Sequence, residues 1–249
     1  MILQLDIGNS RVKWRRCGRG EILGRGAVPR LGLADMFTEM GEDSRPAQVW
    51  VSSVAGEEAE NLLQQQIREQ WGLSPWFARP GAQACGVSNS YTQPRRMGVD
   101  RWLAMLAAWH ETRNPVCVVD AGSALTIDFV DAAGQHQGGY ILPGLDSMER
   151  ALLSDTDRVR FTDAARENLG PGRSTEEAVY NGLFLSQAGA VSLALGRLDG
   201  DYALYFTGGN GRNLFQSLDL GGKFEEDLVL DGLELLAAEQ VDDENRSGP

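Results

Sequence analysis

Cysteine and histidine are scarce in this chain of 249 residues, with three of the first and two of the second. Cys17, Cys85 and Cys117 lie far apart, odd in number and without a Cys-x-x-Cys pair. That pattern excludes a disulfide framework and a zinc ribbon, and it fits a reducing, cytoplasmic compartment. His110 and His136 alone cannot build a histidine-rich metal centre. No apolar run approaches the roughly 18 to 20 residues that a membrane span needs. Asp6 interrupts the N-terminus before the apolar stretch of a signal peptide could form. Basic charge is outnumbered, 23 Lys and Arg against 35 Asp and Glu, for a net −12. A broad nucleic-acid-binding face needs the opposite balance. The expected partners therefore include neither nucleic acid nor membrane.

What is present describes an ordinary globular protein, 42% apolar and 23% charged. The length suits one large domain or two of about 120 residues. Much of the acidity is local, in Glu225, Glu226, Asp227, Asp231, Glu234, Glu239, Asp242, Asp243 and Glu244, and "VDDENRSGP" reads as a frayed, solvated tail. The N-terminal region runs the other way, with Arg11, Lys13, Arg15, Arg16 and Arg19. A basic start in an acidic chain suits a local anion site, and equally the solubility of a hairpin.

A repeat decides the organisation. Shifted by 114 positions, Asp6 falls on Asp120, Gly8 on Gly122, Gly20 on Gly134, Gly24 on Gly138 and Pro29 on Pro143. The apolar lead-in follows, Ile2 on Val116 and Leu5 on Val119. Identities among turn-forming and acidic residues in one ungapped register point to duplication. Each copy reads as strand, Asp-x-Gly turn, strand, glycine turn, then a third strand or loop ending near Pro.

Helical patterns follow in both halves. "GEEAENLLQQQIREQW" sets Ala59, Leu62, Leu63, Ile67 and Trp71 on one face. A second helix opens near Asp100 with Leu103, Leu106 and Ala107 inward. Ser174 and Glu177 form a capping box before an apolar pattern that runs to Leu195. "YALYFTGGNGRNLFQSL" is strand, glycine turn and helix, and a last helix covers roughly residues 226 to 239. The expectation is two duplicated α/β domains, residues 1–114 and 115–249, facing one another across a cleft.

Turns rich in glycine and hydroxyl residues expose backbone N–H groups that can cradle phosphate oxygens. Ser10 and Lys13 add a hydroxyl and a point charge, and Asp6 and Asp120 offer hard oxygens to a cation, directly or through water. The competing reading is two turn-capping aspartates. "FTGGNGRN" (Phe206 to Asn213) is a third glycine turn, suited to an adenosine against bare backbone or to plain helix opening. In "YTQPRRMGVDRWLAML", Asp100 is either an N-cap or a carboxylate that takes a proton from a substrate alcohol. Arg95, Arg96 and Arg101 gather positive charge around it, and Tyr91 adds a hydroxyl.

The chain resembles the type III pantothenate kinases. The resemblance rests on Asp6-Ile-Gly-Asn-Ser-Arg-Val-Lys13-Trp14, Gly98-Val-Asp-Arg-Trp102, Asp120-Ala-Gly-Ser-Ala124 with Thr126-Ile-Asp128, Gly138-Gly-Tyr-Ile-Leu-Pro-Gly144 and Thr207-Gly-Gly209. It implies an α/β fold of two duplicated RNase H-like (actin-like ATPase) domains around a central nucleotide cleft. The implied activity is ATP-dependent phosphorylation of pantothenate to 4′-phosphopantothenate, the first step of coenzyme A synthesis. Asp6, Ile7, Gly8, Asn9, Ser10, Arg11, Val12 and Lys13 would form the first phosphate loop, and Ser123 would also contact ATP. Asp100 would be the general base, with Gly98, Val99 and Arg101 lining the acceptor pocket and Tyr91 closing it. Thr175 would touch pantothenate from a partner subunit of a homodimer. Asp120 would serve the monovalent cation, K⁺ or NH₄⁺, and Asp6 a nucleotide-bound Mg²⁺ through water. The family more often carries Thr where Ser123 stands. Two other readings compete: a regulatory nucleotide-binding protein of the Bvg accessory factor kind, and another actin-like phosphotransferase or phosphatase. The complete set Asp6, Lys13, Asp100, Arg101 and Ser123 favours the enzyme, and Gly98-Val-Asp-Arg-Trp102 favours this family.

Overall fold

The computed structural model describes residues 1–40, 45–154 and 169–246. By internal contacts the chain forms two compact units, Met1–Glu111 with Asp227–Pro249, and Thr112–Glu226.

The first unit is built on a five-stranded sheet of β1 (Ile2–Ile7), β2 (Arg11–Gly18), β3 (Glu21–Pro29), β4 (Gln48–Ser53) and β5 (Trp76–Phe77). Its order is β3-β2-β1-β4-β5, with β1, β2 and β3 antiparallel and β4 and β5 added in parallel. Strand alternation puts Leu3, Leu5, Ile7, Val12 and Trp14 into one core with Met36 of α1 (Leu33–Met40) and Leu63, Ile67 and Trp71 of α2 (Glu57–Trp71). Of the helical face expected in α2, Leu63, Ile67 and Trp71 are buried, whereas Leu62 is 57% exposed. Ala59 is only partly buried, so the inward stripe is narrower than the sequence pattern suggests.

Two polar residues on the opposite face of β1 and β2, Gln4 and Arg15, are also buried. Gln4 and Arg15 meet α7 (Leu228–Arg246), where Arg15 reaches Asp231 at 2.5 Å and Glu234 at 3.2 Å, and its Nε donates to Gln4 Oε1 at 2.8 Å. α7 also packs on α3 (Val99–Thr112), an almost wholly buried helix. An added Cβ on Gly232 would fall 2.0 Å from the carbonyl oxygen of Leu103. The last helix thus joins the first unit, unlike the linear division at residues 114 and 115. The repeat could not reveal this, because chain order does not say which sheet face a trailing helix covers. This helix also runs to Arg246, through most of the expected tail; residues 247–249 lie outside the described residues.

The second unit repeats the pattern. β8 (Val116–Ala121), β9 (Ala124–Val130), β10 (His136–Pro143), β11 (Ala203–Thr207) and β12 (Lys223–Phe224) are ordered β10-β9-β8-β11-β12. β8, β9 and β10 are antiparallel, and β11 and β12 join in parallel. The matched prolines, Pro29 and Pro143, each end the third strand. The matched glycines Gly20 and Gly134 each turn the chain at positive φ, 80° and 77°. One difference breaks the ungapped register: three residues separate β1 from β2 and only two separate β8 from β9.

The inner face of this sheet packs Val119, Ile127 and Phe129 against Phe184, Ala188 and Val191 of α5 (Thr175–Leu195) and Leu214 of α6 (Gly211–Leu218). α5 is long and apolar enough to cross a membrane by length and composition. It carries buried polar groups all the same, Asn181 donating to Gly170 O and Gln187 to Pro143 O. Ser174 caps it as expected, accepting from the Glu177 amide at 3.1 Å. The Glu177 carboxylate reaches back to the amide of Arg173, one residue before the cap.

Candidate active site

In the first unit the chemistry gathers where β1 ends. Asp6 faces Lys13 across the antiparallel β1–β2 pair and Ser52 across the parallel β1–β4 pair. Ser52 Oγ donates to Asp6 Oδ1 at 3.0 Å. Burial is the main cause that lifts the Asp6 pKa to about 6, the charge of Asp100 lifts it further, and Lys13 and Ser52 pull it back. Ser52 was not singled out by sequence, since a parallel neighbour 46 positions away leaves no local signal. After Ile7 the chain turns through Gly8, Asn9 and Ser10, with the Gly8 amide donating to Arg11 O at 3.0 Å. Asn9, Ser10 and Arg11 are exposed, whereas Val12 is buried in the core.

Asp100 is the second residue of α3, and the cap position therefore falls on Gly98. Its Oδ1 accepts from the Arg101 amide at 2.8 Å, one of the first-turn donors that no helical carbonyl can reach. Gly98 is small for a reason: an added Cβ would fall 2.6 Å from Asp100 Oδ1. Val99 is buried and anchors the turn. The Arg101 side chain is 6% exposed, and its guanidinium donates to Tyr91 Oη at 3.0 Å. The Tyr91 amide in turn donates to Asn89 Oδ1. Asp6, Lys13, Asp100, Arg101 and Tyr91 are thus all held within the first unit, where the charge of Asp100 helps to raise the Asp6 pKa.

In the second unit Asp120 pairs with Thr126 and with Thr207, as Asp6 pairs with Lys13 and Ser52. Gly122 and Ser123 form the turn, closed by the Gly122 amide on Ala124 O. Two glycines press against it. Gly144 donates its amide to Ser123 O, and an added Cβ there would fall 2.5 Å from that oxygen. Gly208 sits at φ +89°, where an added Cβ would fall 2.4 Å from Asp120 Oδ1. The Asn210 amide donates to Ala121 O at 2.9 Å. The third glycine turn is therefore joined to the second. Thr175, the first residue of α5, is exposed in this unit.

Among the described residues no three His, Cys, Asp or Glu side chains are grouped to hold a metal. Single carboxylates such as Asp6 and Asp120 suit a hard cation that brings most of its own ligands, as nucleotide-bound Mg²⁺ does with phosphate oxygens and water.

Comparison with known proteins identifies the fold and the family. Among solved structures, a Campylobacter jejuni protein described as a Baf family transcriptional activator is similar with a TM-score of 0.61 at 23% identity, over 96% of this chain and 99% of that one. The activator of the 2-hydroxyisocaproyl-CoA dehydratase from Clostridium difficile, with bound ADPNP, gives a TM-score of 0.58 at 10% identity, over 100% and 98%. MreB 5 of Spiroplasma citri bound to AMPPNP gives 0.54 at 9% identity, over 100% and 98%. The common fold is that of the actin-like ATPases. A type III pantothenate kinase of Marinobacter nauticus is 40% identical over 248 residues, covering 97% of this chain and all of that protein. One of Alcanivorax borkumensis is 37% identical over 247 residues, covering 96% and 100%. Residues 2–196 match the model of the family described as type III pantothenate kinase. By sequence over nearly its whole length and by fold, this chain belongs to the type III pantothenate kinase family.

Proposed function

We propose that the chain transfers the γ-phosphoryl group of ATP to the primary hydroxyl of pantothenate, giving 4′-phosphopantothenate and ADP, the first step of coenzyme A synthesis. The observation that carries the reading is the Asp100 carboxylate, fixed in the first turn of a buried helix, with its charge felt by Asp6 at the end of β1. The hydroxyl oxygen attacks phosphorus, the bond to the β-phosphate oxygen breaks, and Asp100 accepts the hydroxyl proton. Asp6, Ile7, Gly8, Asn9, Ser10, Arg11, Val12 and Lys13 form the first phosphate loop, supported by its exposed polar turn and by Lys13 opposite Asp6. Ser123 supplies a hydroxyl to the nucleotide from the second turn. Gly98, Val99 and Arg101 line the acceptor pocket, and the Arg101 guanidinium, already aligned by Tyr91, takes the pantothenate carboxylate.

Mg²⁺ bound with ATP neutralises phosphate charge, and Asp6 meets its water shell. Asp120 serves a monovalent cation, K⁺ or NH₄⁺. Thr175 contacts pantothenate bound to a second copy in a homodimer. Its exposure supports this, as does the stripe of Gly182, Leu185, Gly189 and Leu193 along α5, where both leucines are more than half exposed. The enzyme is expected to act in the cytoplasm.

The test is direct. Purified protein given Mg-ATP, K⁺ and pantothenate should form ADP and 4′-phosphopantothenate. Asp100→Asn should lower turnover by roughly two orders of magnitude or more while leaving the circular dichroism spectrum unchanged. Wild-type protein that binds ATP yet leaves pantothenate untouched with K⁺, NH₄⁺ and Na⁺ alike would sink the reading.

A further inference from the structure

An open groove of about 610 Å³ in the first unit is lined by the stretch Arg79–Ala82, by Gln93–Arg96 and by Gln240 of α7. Three of its lining residues are arginines, Arg79, Arg95 and Arg96, and none is Asp or Glu. In a chain where acidic residues outnumber basic ones 35 to 23, that local inversion calls for a reason. Arg79 is already committed, forked to the Glu60 carboxylate and lying 5.2 Å over the Phe77 ring. Arg95 and Arg96 are different. Both are exposed, and neither forms an ion pair among the described residues.

The walls are set before any ligand arrives. The Asn89 backbone amide donates to Ala82 O at 2.9 Å, and its side chain donates to Gly81 O at 3.2 Å. The Arg96 amide closes on Gln93 O, and the Met97 amide on Pro94 O. The hairpin of β6 (Gln83–Ala84) and β7 (Val87–Ser88) is tied to α7, where Glu239 accepts from the Cys85 amide at 3.0 and 3.1 Å. Binding would therefore order little more than two arginine side chains, and the affinity lost to ordering is small.

We propose that this groove is an anion site for a phosphate-bearing small molecule. Arg95 and Arg96, adjacent in sequence and both exposed, offer two guanidinium groups, which suit the several oxygens of a phosphate group better than the two of a single carboxylate. The volume lies within the usual range for small-molecule sites, about 300 to 1,000 Å³. Pro80, Gly81, Ala82 and Pro94 offer a less polar surface for the rest of the ligand, and Gln93 and Gln240 offer amides. The site shares no residue with the phosphate loop from Asp6 to Lys13.

Inorganic pyrophosphate is the probe. It is titrated into the full-length chain, after a non-hydrolysable ATP analogue with Mg²⁺ has been added to saturation, and followed by amide NMR. Saturable shifts are expected at the Gly81 and Ala82 backbone amides and the Gln240 side-chain amide. The double variant R95Q/R96Q should weaken pyrophosphate binding by roughly tenfold or more, with the affinity for the ATP analogue unchanged. R68Q, on the exposed side of α2, should behave as wild type. The proposal is overturned if the shifts do not saturate, if R95Q/R96Q binds equally well, or if sodium chloride at matched ionic strength gives the same shifts. A chain that fails to bind the ATP analogue would count against the kinase reading, while the groove titration would still decide this one.

Discussion

The charge of Asp100, in the first turn of a helix, opposes the ionisation of Asp6, at the end of a strand of the same unit. With burial as the larger cause, the Asp6 proton is held to about pH 6 instead of the ordinary 3.8. A carboxyl group whose folded-state pKa is raised favours the folded state most below its unfolded pKa. Its contribution is lost as the pH rises through the folded value. Asp6→Asn, which cannot titrate, should therefore gain stability relative to wild type between pH 3.8 and about 6. The gain at neutral pH is at most about 3 kcal/mol, since part of the side chain meets solvent. Urea unfolding of both proteins across that range checks it, and parallel stability curves would contradict the assignment.

The same proton bears on ligand binding. Cations near Asp6, including the metal of a bound nucleotide, favour its ionised form. Nucleotide binding with Mg²⁺ should then release a proton below about pH 6 and tighten as the pH rises through that value. Calorimetric titration at about pH 5.5 in buffers of different ionisation enthalpy reads that release directly. Asp6→Asn should abolish it. Equal proton release from the variant would assign the effect to another group.

Gly98→Ala tests the placement of Asp100. The added methyl would sit 2.6 Å from the Asp100 oxygen, close enough to push the carboxylate aside. Gly98 is absent from the positive-φ glycines, so alanine brings no strain of that kind. A displacement of about 1 Å in a catalytic group costs on the order of a hundredfold in turnover. Pantothenate kinase assays should show that loss mainly in kcat, with thermal stability changed little. Unaltered kcat in a folded variant would mean that Asp100 does not act on the hydroxyl.

Arg15 supports the strand that delivers Asp6. Its guanidinium is 3% exposed, whereas the Asp231 and Glu234 side chains it binds are 41% and 52% exposed. Arg15→Met leaves those two carboxylates largely hydrated, so the loss should be smaller than for a fully buried pair, about 2 kcal/mol. A double-mutant cycle with Asp231→Asn should return a coupling of about 1 kcal/mol or more. Zero coupling would reduce the contact to packing of the arginine stem.

The duplication is legible because it is written in residues whose backbone is constrained. Gly20 and Gly134 hold left-handed turns, and Pro29 and Pro143 stop strands. Asp6 and Asp120 stand out because each breaks an apolar strand. The partners of those residues are not legible in the same way. Ser52 reaches Asp6 through a parallel pairing, and Gly208 reaches Asp120 across β8 and β11, so both depend on which strands become neighbours. The extra residue in the first turn is hidden for another reason: an ungapped alignment matches glycines and does not see a slipped ladder. The destination of α7 is the largest omission. Its apolar pattern is plain, yet nothing local says that it returns to β1 and α3.

That return yields the sharpest test of the fold. Gly232 lies inside α7, where alanine would ordinarily stabilise a helix by about 1 kcal/mol. Here the added Cβ would fall 2.0 Å from Leu103 O and 2.5 Å from its carbonyl carbon. Both atoms are backbone of a buried helix and cannot step aside as a side-chain tip would. α7 would have to lift from α3 and loosen the contacts that Asp231 and Glu234 make with Arg15. Overpacking of this kind costs roughly 1 to 3 kcal/mol, and backbone contact sets this case at the upper end. Gly232→Ala should therefore be destabilising where helix propensity alone predicts the opposite sign. Thermal and urea denaturation decide between them, and a variant as stable as wild type would show that α7 does not pack on α3 through this glycine.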